Sequence, residues 1–330
     1  MIKASQLPRR ADGFQPIVSI LIVSYNTREM TLACISSAFE QTRSSFEIIV
    51  VDNASSDGSA DAIENDFPSV RLIRSRTNLG FAKANNLAAQ TANGEFLLLL
   101  NPDTVVLDRA VDHLIMFASE RSEAGIWGGR TIFADGTLNP TSCWRFMSLW
   151  SLFAAASGLT TLWRASFFLN PEGYGGWHRD CVREVDIVTG CLFLIRHDLW
   201  KRLQGFDENF FMYAEEADLC YRARKVGARP MMTPEATIIH YDGASERLLS
   251  AKLIKLLSGK VLFIKKHWPR WKSIVGVLLL EALVLVRALG ITASGALTGS
   301  ASRRLAAQEW RQVWSARGSW RRGYEAGASS

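Results

Sequence analysis

Residues 17–53 read IVSILIVSYNTREMTLACISSAFEQTRSSFEIIVVDN, and this stretch decides the fold. Two short, continuous, β-branched runs, IVSILIVSY and FEIIVVDN, flank a helical stretch at 28–40. A strand that is apolar on both sides must be covered on both faces, which is the condition of a parallel sheet joined by crossover helices. The alternation continues outward through a short helix, VRLIRS at 70–75, a helix at 81–92, EFLLLLNPD at 95–103 and a helix at 107–120. The pattern predicts an α/β chain with a mostly parallel sheet. Right-handed crossovers bring the C-terminal ends of such strands to one edge, where ligands collect. Asp52 and Asp103 both stand at such ends.

Past residue 125 the pattern changes. IWGGRTIF at 126–133, the turn pair Asp135-Gly136 and VDIVTGCLFLIR at 185–196 predict a second, mixed part of the sheet, on which an acceptor side would be built. Between them, residues 143–170 (CWRFMSLWSLFAAASGLTTLWRASFFLN) are aromatic and weakly periodic. They read either as a mobile lid or membrane-touching loop, or as a helical hairpin in the core.

A chain of 330 residues with 48% hydrophobic and 21% charged residues can bury a full core. The net charge of +6 would permit a nucleic-acid partner, but the basic residues gather near the C-terminus, around Lys265, Lys266, Arg270, Lys272, Arg303 and Arg304. That placement suits anionic lipid, and no nucleic acid is expected. The five cysteines form neither a CxxC pair nor a zinc pattern and read as reduced thiols in the cytosol. Residues 1–16 form a polar arm without the apolar stretch of a secretory signal, so the N-terminus is expected to stay in the cytoplasm.

One segment, 273–292, approaches membrane-spanning length, and it contains Glu281 and Arg287. About a dozen Leu, Ile and Val gain ~4 to 7 kcal/mol on insertion, while two central charges cost ~5 to 7. With Trp268, Trp271 and basic residues before it, the segment predicts a helix lying peripherally in the inner face of the plasma membrane. The alternative is a buried helix packed on the domain or on a second copy, a homo-oligomer through the C-terminal helices.

Four places carry side chains that could do chemistry. VVDNASSDGS at 50–59 ends a strand with Asp52, whose carboxylate can accept the N3–H of a pyrimidine; a turn or helix cap is the competing reading. LLLLNPDT at 97–104 presents Asn101 and Asp103, and such an oxygen ligand can hold Mg2+ or Mn2+ bridging two phosphates. GFDENFFMYAEEADLCYRARKVG at 205–227 crowds Glu215, Glu216 and Asp218 at a helix start, which raises the proton affinity of at least one toward general-base duty. IIHYDGAS at 238–245 ends an apolar run with His240, which could complete a metal shell or be a core histidine. Neither GxGxxG nor GxxxxGK[ST] occurs, so dinucleotide and P-loop readings lose their support.

Together, VSILIVSYNT, VVDNASSDGS, NLGFAKANN, LLLLNPDT, VDIVTGCLFLIR and FDENFFMYAEEADLCYR, in that order, resemble the inverting family 2 glycosyltransferases of GT-A fold, in their rhamnosyltransferase-like branch. The likeness covers residues 17 to about 245, with a nucleotide-binding half at 17–125, an acceptor-binding half at 126–245 and a helical region at 246–330. It implies that Asp52 binds the base with Ser24 and Tyr25 around it, and that Asp103 holds the metal. Asn78, Gly80, Phe81 and Lys83 would lie near the diphosphate and donor sugar, and Gly190 and Cys191 would line the sugar pocket. Glu216 falls where the family usually has the aspartate that acts as base. The resemblance implies a dTDP- or UDP-linked donor, L-rhamnose or a relative of it, and a glycan or lipid-linked acceptor in cell-surface polysaccharide synthesis. A nucleotidyltransferase would want a Gly-rich basic loop after its first strand, and SYNTREM has no glycine. A non-catalytic membrane scaffold that keeps the fold is the other competitor.

Overall fold

The structure is a computed structural model that describes residues 15–241, 249–298 and 300–324. Most of the polar arm at 1–16 and the glycine turn after His240 lie outside the described residues. The elements run β1 (Val18–Ser24), α1 (Arg28–Gln41), β2 (Phe46–Asp52), α2 (Ser59–Asp66), β3 (Arg71–Arg74), α3 (Gly80–Gln90), β4 (Phe96–Leu100), β5 (Thr104–Val106) and α4 (Ala110–Glu120). They continue with β6 (Ile126–Ile132), β7 (Leu138–Asn139), β8 (Cys143–Trp144), α5 (Leu149–Ala156), α6 (Leu159–Leu162), β9 (Arg183–Glu184), β10 (Ile187–Val188), β11 (Leu192–Arg196) and α7 (His197–Arg202). The chain then forms α8 (Glu215–Lys225), β12 (Met231–His240), α9 (Leu249–His267), α10 (Arg270–Thr298), α11 (Ala301–Ser315) and α12 (Arg317–Trp320).

The main sheet has the order β3-β2-β1-β4-β11-β6-β12-β5. Its first four strands are parallel, as the apolar runs predict, and β11 joins β4 antiparallel to open the mixed half. Side chains alternate across the sheet. In β4, Leu97 and Leu99 enter the cluster beneath α3 and α8, whereas Phe96, Leu98 and Leu100 enter the one beneath α1 and α4. That alternation is why the run FLLLL has no polar residue: both of its faces are buried.

Three differences from the sequence reading have local causes. VDIVTGCLFLIR is two strands, because the chain turns at Gly190: β10 pairs with β8 in a separate two-stranded sheet, and only β11 joins the main one. The helix expected at 107–120 starts at Ala110, because Thr104–Val106 is taken by pairing with β12 and Asp108 and Arg109 then turn the chain at positive φ. Residues 143–170 supply a packed helix, α5, closed by a reciprocal Ser148–Ser151 capping box. Its Leu152 joins a third apolar cluster with Leu257, Val261, Leu280 and Val284 of α9 and α10, while Trp150, Phe153 and Trp163 stay exposed.

The C-terminal helices pack against the sheet domain. The segment expected at 273–292 lies inside α10, a 29-residue helix with a mean hydropathy of 2.4 over its most apolar window. Both charges that weighed against insertion have protein partners: Glu281 pairs with Arg321 at 3.0 Å, and Arg287 donates to the Thr161 hydroxyl.

Candidate active site

A cavity of about 510 Å³ opens at the C-terminal edge of the parallel strands, where the crossover geometry predicts a ligand. Tyr25, Asn78, Gly80, Phe81, Asn101 and Asp103 line it from the first half of the chain. Gly190, Cys191, Glu215, Glu216 and His240 line it from the second.

Asp103 and His240 are far apart in sequence and meet through sheet register. The antiparallel pairing of β12 with β5 sets His240 opposite Thr104, and this brings the His240 Nε2 to 3.4 Å from the Asp103 Oδ1. Burial works against a charge on the ring, but Cys191 and Asp103 favour it and win, raising the imidazole to about 10. Asn101 Oδ1 beside them is buried without a hydrogen-bond partner. No group of three or more His, Cys, Asp or Glu suited to a cation occurs among the described residues. The Asp103 carboxylate and the unpartnered Asn101 amide oxygen fit Mg2+ or Mn2+ in the manner of nucleotide sites, where one or two protein ligands are completed by phosphate oxygens and water; His240, raised to about 10, would have to lose its proton to join them.

The two glutamates are aimed by strain. Tyr213 and Ala214 sit consecutively at φ of 70° and 72°, a left-handed conformation that costs roughly 1–2 kcal/mol per non-glycine residue. This turn starts α8 and points Glu215 and Glu216 into the cavity. One carboxylate oxygen of each, the Oε2, is buried without a partner. Burial raises Glu215 well above the ordinary carboxylate range, and the neighbouring Glu216 adds to it. Burial also raises Glu216, to about 7, because the backbone N–H groups at the helix start only partly offset it.

Opposite, Gly80 adopts φ +75°, and a Cβ there would meet the Phe211 carbonyl oxygen. That carbonyl accepts from the Phe81 N–H at 2.7 Å, tying the start of α3 to the loop before the glutamates. Asn53, which carried no assigned role in the sequence, fixes the same corner. Its amide donates to Asn78 Oδ1 at 2.9 Å and to the Gly80 carbonyl, and its Oδ1 accepts from the Leu79 N–H.

Four of the residues expected at the site do not line the cavity. Ser24 is buried with its hydroxyl bonded to those of Thr31 and Thr27 at the start of α1. Lys83 is exposed on α3, away from the cavity wall. Asp52 is buried behind the wall; its Oδ2 accepts from the Ser55 N–H, and its Oδ1 has no hydrogen-bond partner. Asp218 turns away from the glutamates. Its carboxylate is fully buried against Arg222 at 2.7 Å, Lys266 at 2.6 Å and His267 at 2.7 Å. Burial alone would raise its pKa, yet the hydrogen bond to His267 and the Arg222 and Lys266 charges outweigh it and hold it at about 2, so it is no base.

The sequence reading also missed the wall supplied by α9. Lys252, Lys255, Leu256, Lys260 and Phe263 line the cavity, and Gly259 packs so tightly on Tyr213 that a Cβ would meet its carbonyl oxygen. These positions follow helical spacing, so the stripe was visible in the sequence; nothing there said what it faced. The boundary at 245 thus divides the site from one of its own walls.

Residues 19–203 match the model of glycosyl transferase family 2. The chain belongs to that family. Among proteins similar to this family 2 glycosyltransferase, the O-antigen biosynthesis protein RfbC of Myxococcus xanthus is 28% identical over 70% of this chain, a match that spans only 18% of RfbC itself. The N-acetylglucosaminyl-diphospho-decaprenol L-rhamnosyltransferase of Mycobacterium tuberculosis is 27% identical over 70% of this chain and 76% of its own length. The fold is GT-A. It superposes on the mannosyltransferase PcManGT from Pyrobaculum calidifontis, solved with GDP-Man and Mn2+, with a TM-score of 0.57 at 17% identity over 93% of this chain and 88% of that one. A second match, GalNAc-T7 solved with UDP, GalNAc and Mn2+, has a TM-score of 0.55 at 15% identity over 82% and 52% of the two chains.

Proposed function

We propose that this glycosyltransferase moves a hexose, L-rhamnose or a close relative, from a dTDP- or UDP-linked donor to a hydroxyl of a lipid-linked glycan, with inversion at the anomeric carbon, in cell-surface polysaccharide synthesis. The observation that carries the reading is Glu216: a cavity carboxylate with an unpartnered Oε2, raised to about 7. A base of that pKa is deprotonated often enough near neutrality and still holds a proton well. Glu215 beside it is also raised, by burial and by the neighbouring Glu216, and Glu216 takes the acceptor proton in this reading. The hydroxyl then attacks in one displacement, on the face opposite the departing nucleoside diphosphate.

Tyr25, Asn53 and Asn78 bound the donor end of the cavity. Asp103, with Asn101 beside it and His240 once its ring has lost its proton, would hold Mg2+ or Mn2+, which when bound offsets the charge developing on the leaving diphosphate. The acceptor class is supported by the mycobacterial relative, which is named for L-rhamnosyl transfer to N-acetylglucosaminyl-diphospho-decaprenol. Peripheral attachment to the inner face of the plasma membrane is supported by α10. One of its faces packs on α5, α9 and α11, and the other exposes Trp271, Ile274, Leu278, Leu285 and Leu289. A helix held along its length by soluble helices lies in the interface rather than across it.

Glu216→Gln should lower transfer by roughly 10²- to 10⁴-fold with nucleotide affinity unchanged. Wild-type kcat/KM should rise with pH through about 7, because the base works deprotonated. A Gln variant that keeps full transfer would remove Glu216 from the mechanism.

A further inference from the structure

The turn that aims the two glutamates is met at three successive carbonyls by three different parts of the chain. The Phe211 carbonyl accepts from the Phe81 N–H of α3 at 2.7 Å. Gly259 of α9 packs on Tyr213, whose carbonyl oxygen a Cβ there would meet. Between them, the Tyr324 hydroxyl donates to the Met212 carbonyl oxygen at 2.5 Å and to the Lys255 carbonyl oxygen of α9 at 2.9 Å. A hydroxyl has one proton, so the two oxygens share it and the loop is tied to α9. The Tyr324 ring adds a contact with Phe211, their centres 6.3 Å apart.

Tyr324 lies 112 residues beyond Met212, and the tail that delivers it is anchored residue by residue. Trp320 is fully buried and donates its indole N–H to the Val313 carbonyl at 2.9 Å. Arg321 pairs with Glu281 of α10, the Arg322 carbonyl accepts from the Lys265 ammonium at 3.2 Å, and Gly323 turns at φ +80° against Leu262 of α9. Met212 immediately precedes the left-handed pair, Tyr213 and Ala214. A peptide unit is planar, so holding the Met212 oxygen also holds the Tyr213 N–H, and with it the φ of Tyr213. Rotating that unit by about half a turn would carry Tyr213 from 70° to the negative range that non-glycine residues prefer. A strained turn of this kind persists where its surroundings hold it.

We infer that Tyr324 is a positioning residue for the reaction: its hydroxyl holds the Met212 carbonyl, and through it the peptide plane that keeps the Tyr213–Ala214 turn left-handed and the glutamates facing the cavity. This rests on the reading of Glu216 as the base and adds which distant part of the chain aims it. Tyr324 touches no reacting atom; it acts through the backbone of the loop.

The test compares full-length wild type with Tyr324→Phe, which keeps the ring beside Phe211 and removes the hydroxyl. Amide hydrogen exchange read by mass spectrometry should quicken about tenfold in peptides covering residues 211–216 and stay unchanged in those of β1 and β4. Transfer from dTDP-L-rhamnose to N-acetylglucosaminyl-diphospho-farnesol should lose about tenfold in kcat, with the donor KM and the affinity for UDP plus Mn2+ within about twofold of wild type. Tyr324→Phe/Glu216→Gln should be no slower than Glu216→Gln alone, because an absent base cannot be misaimed. Unaltered exchange, an unaltered kcat, a parallel loss of UDP affinity or additive losses in the double variant would each overturn the assignment. Failure of the base reading would show separately, as full transfer by Glu216→Gln, and would leave the exchange result standing.

Discussion

Replacing Asp218 with asparagine should destabilise the protein by about 2 to 3 kcal/mol at neutral pH, and the loss should fade in acid. The carboxylate is buried among Arg222, Lys266 and His267, which hold its pKa at about 2 against an ordinary 3.8. At about 1.4 kcal/mol per pH unit, that difference contributes about 2.4 kcal/mol at pH 7. An amide also leaves the Arg222 guanidinium without its paired carboxylate, while Lys266 keeps Asp207 at 2.6 Å, which raises the cost toward the ~3 kcal/mol of a broken buried pair. The folded-state pKa is depressed, so the contribution is complete above the unfolded value of 3.8 and is lost as pH falls through about 2. About half should remain at pH 3. Scanning calorimetry of wild type and Asp218→Asn should therefore show a Tm gap of roughly 3–4 °C at pH 7 that narrows by about half at pH 3. An equal gap at both pH values, or none at pH 7, would refute the assignment of the stabilisation to this ion cluster. Because Lys266 and His267 belong to α9, the variant should also loosen the wall that supports the Tyr213–Ala214 turn, lowering kcat.

Two further outcomes follow from single contacts. Gly80→Ala puts a methyl group against the Phe211 carbonyl at φ +75°, which should cost at least ~1–2 kcal/mol and weaken nucleotide binding in a fluorescence titration; an unchanged Tm and affinity would mean that the two loops are free to part. Leu278→Asp/Leu289→Asp places charges on the exposed side of α10 and should abolish co-sedimentation with phosphatidylglycerol vesicles with little change in Tm; persistent binding would move the membrane contact to another surface, such as the exposed Trp150, Phe153 and Trp163.

Much of the donor half was legible in the sequence because its signals are local. A run such as FLLLL is apolar because both faces of β4 are buried, so composition alone revealed a central parallel strand. Asp103 and Glu216 could be picked out because each follows directly on a strand end or begins a helix. Ser24 and Asp218 stand outside the cavity for the converse reason. Sequence proximity to a motif does not say which way a side chain turns, and both found partners behind the wall, Ser24 in the Thr31 hydroxyl of α1 and Asp218 in Lys266 and His267 of α9. The 143–170 segment was ambiguous because its α5 packs on one face only, leaving aromatic residues on the other and no clean period to read.

By itself the sequence determined the parallel sheet, the edge where ligands collect and the residue types brought there, since hydrophobic period and strand ends are properties of neighbouring residues. Only the tertiary structure decided that His240 meets Asp103, through the pairing of β12 with β5, and that a helix beyond residue 245 closes the cavity with lysines. It also decided that the charges of α10 are answered by Arg321 and Thr161 rather than by water. These are contacts between segments far apart in the chain, fixed by register and packing, and local sequence does not encode which distant partner a buried charge will find.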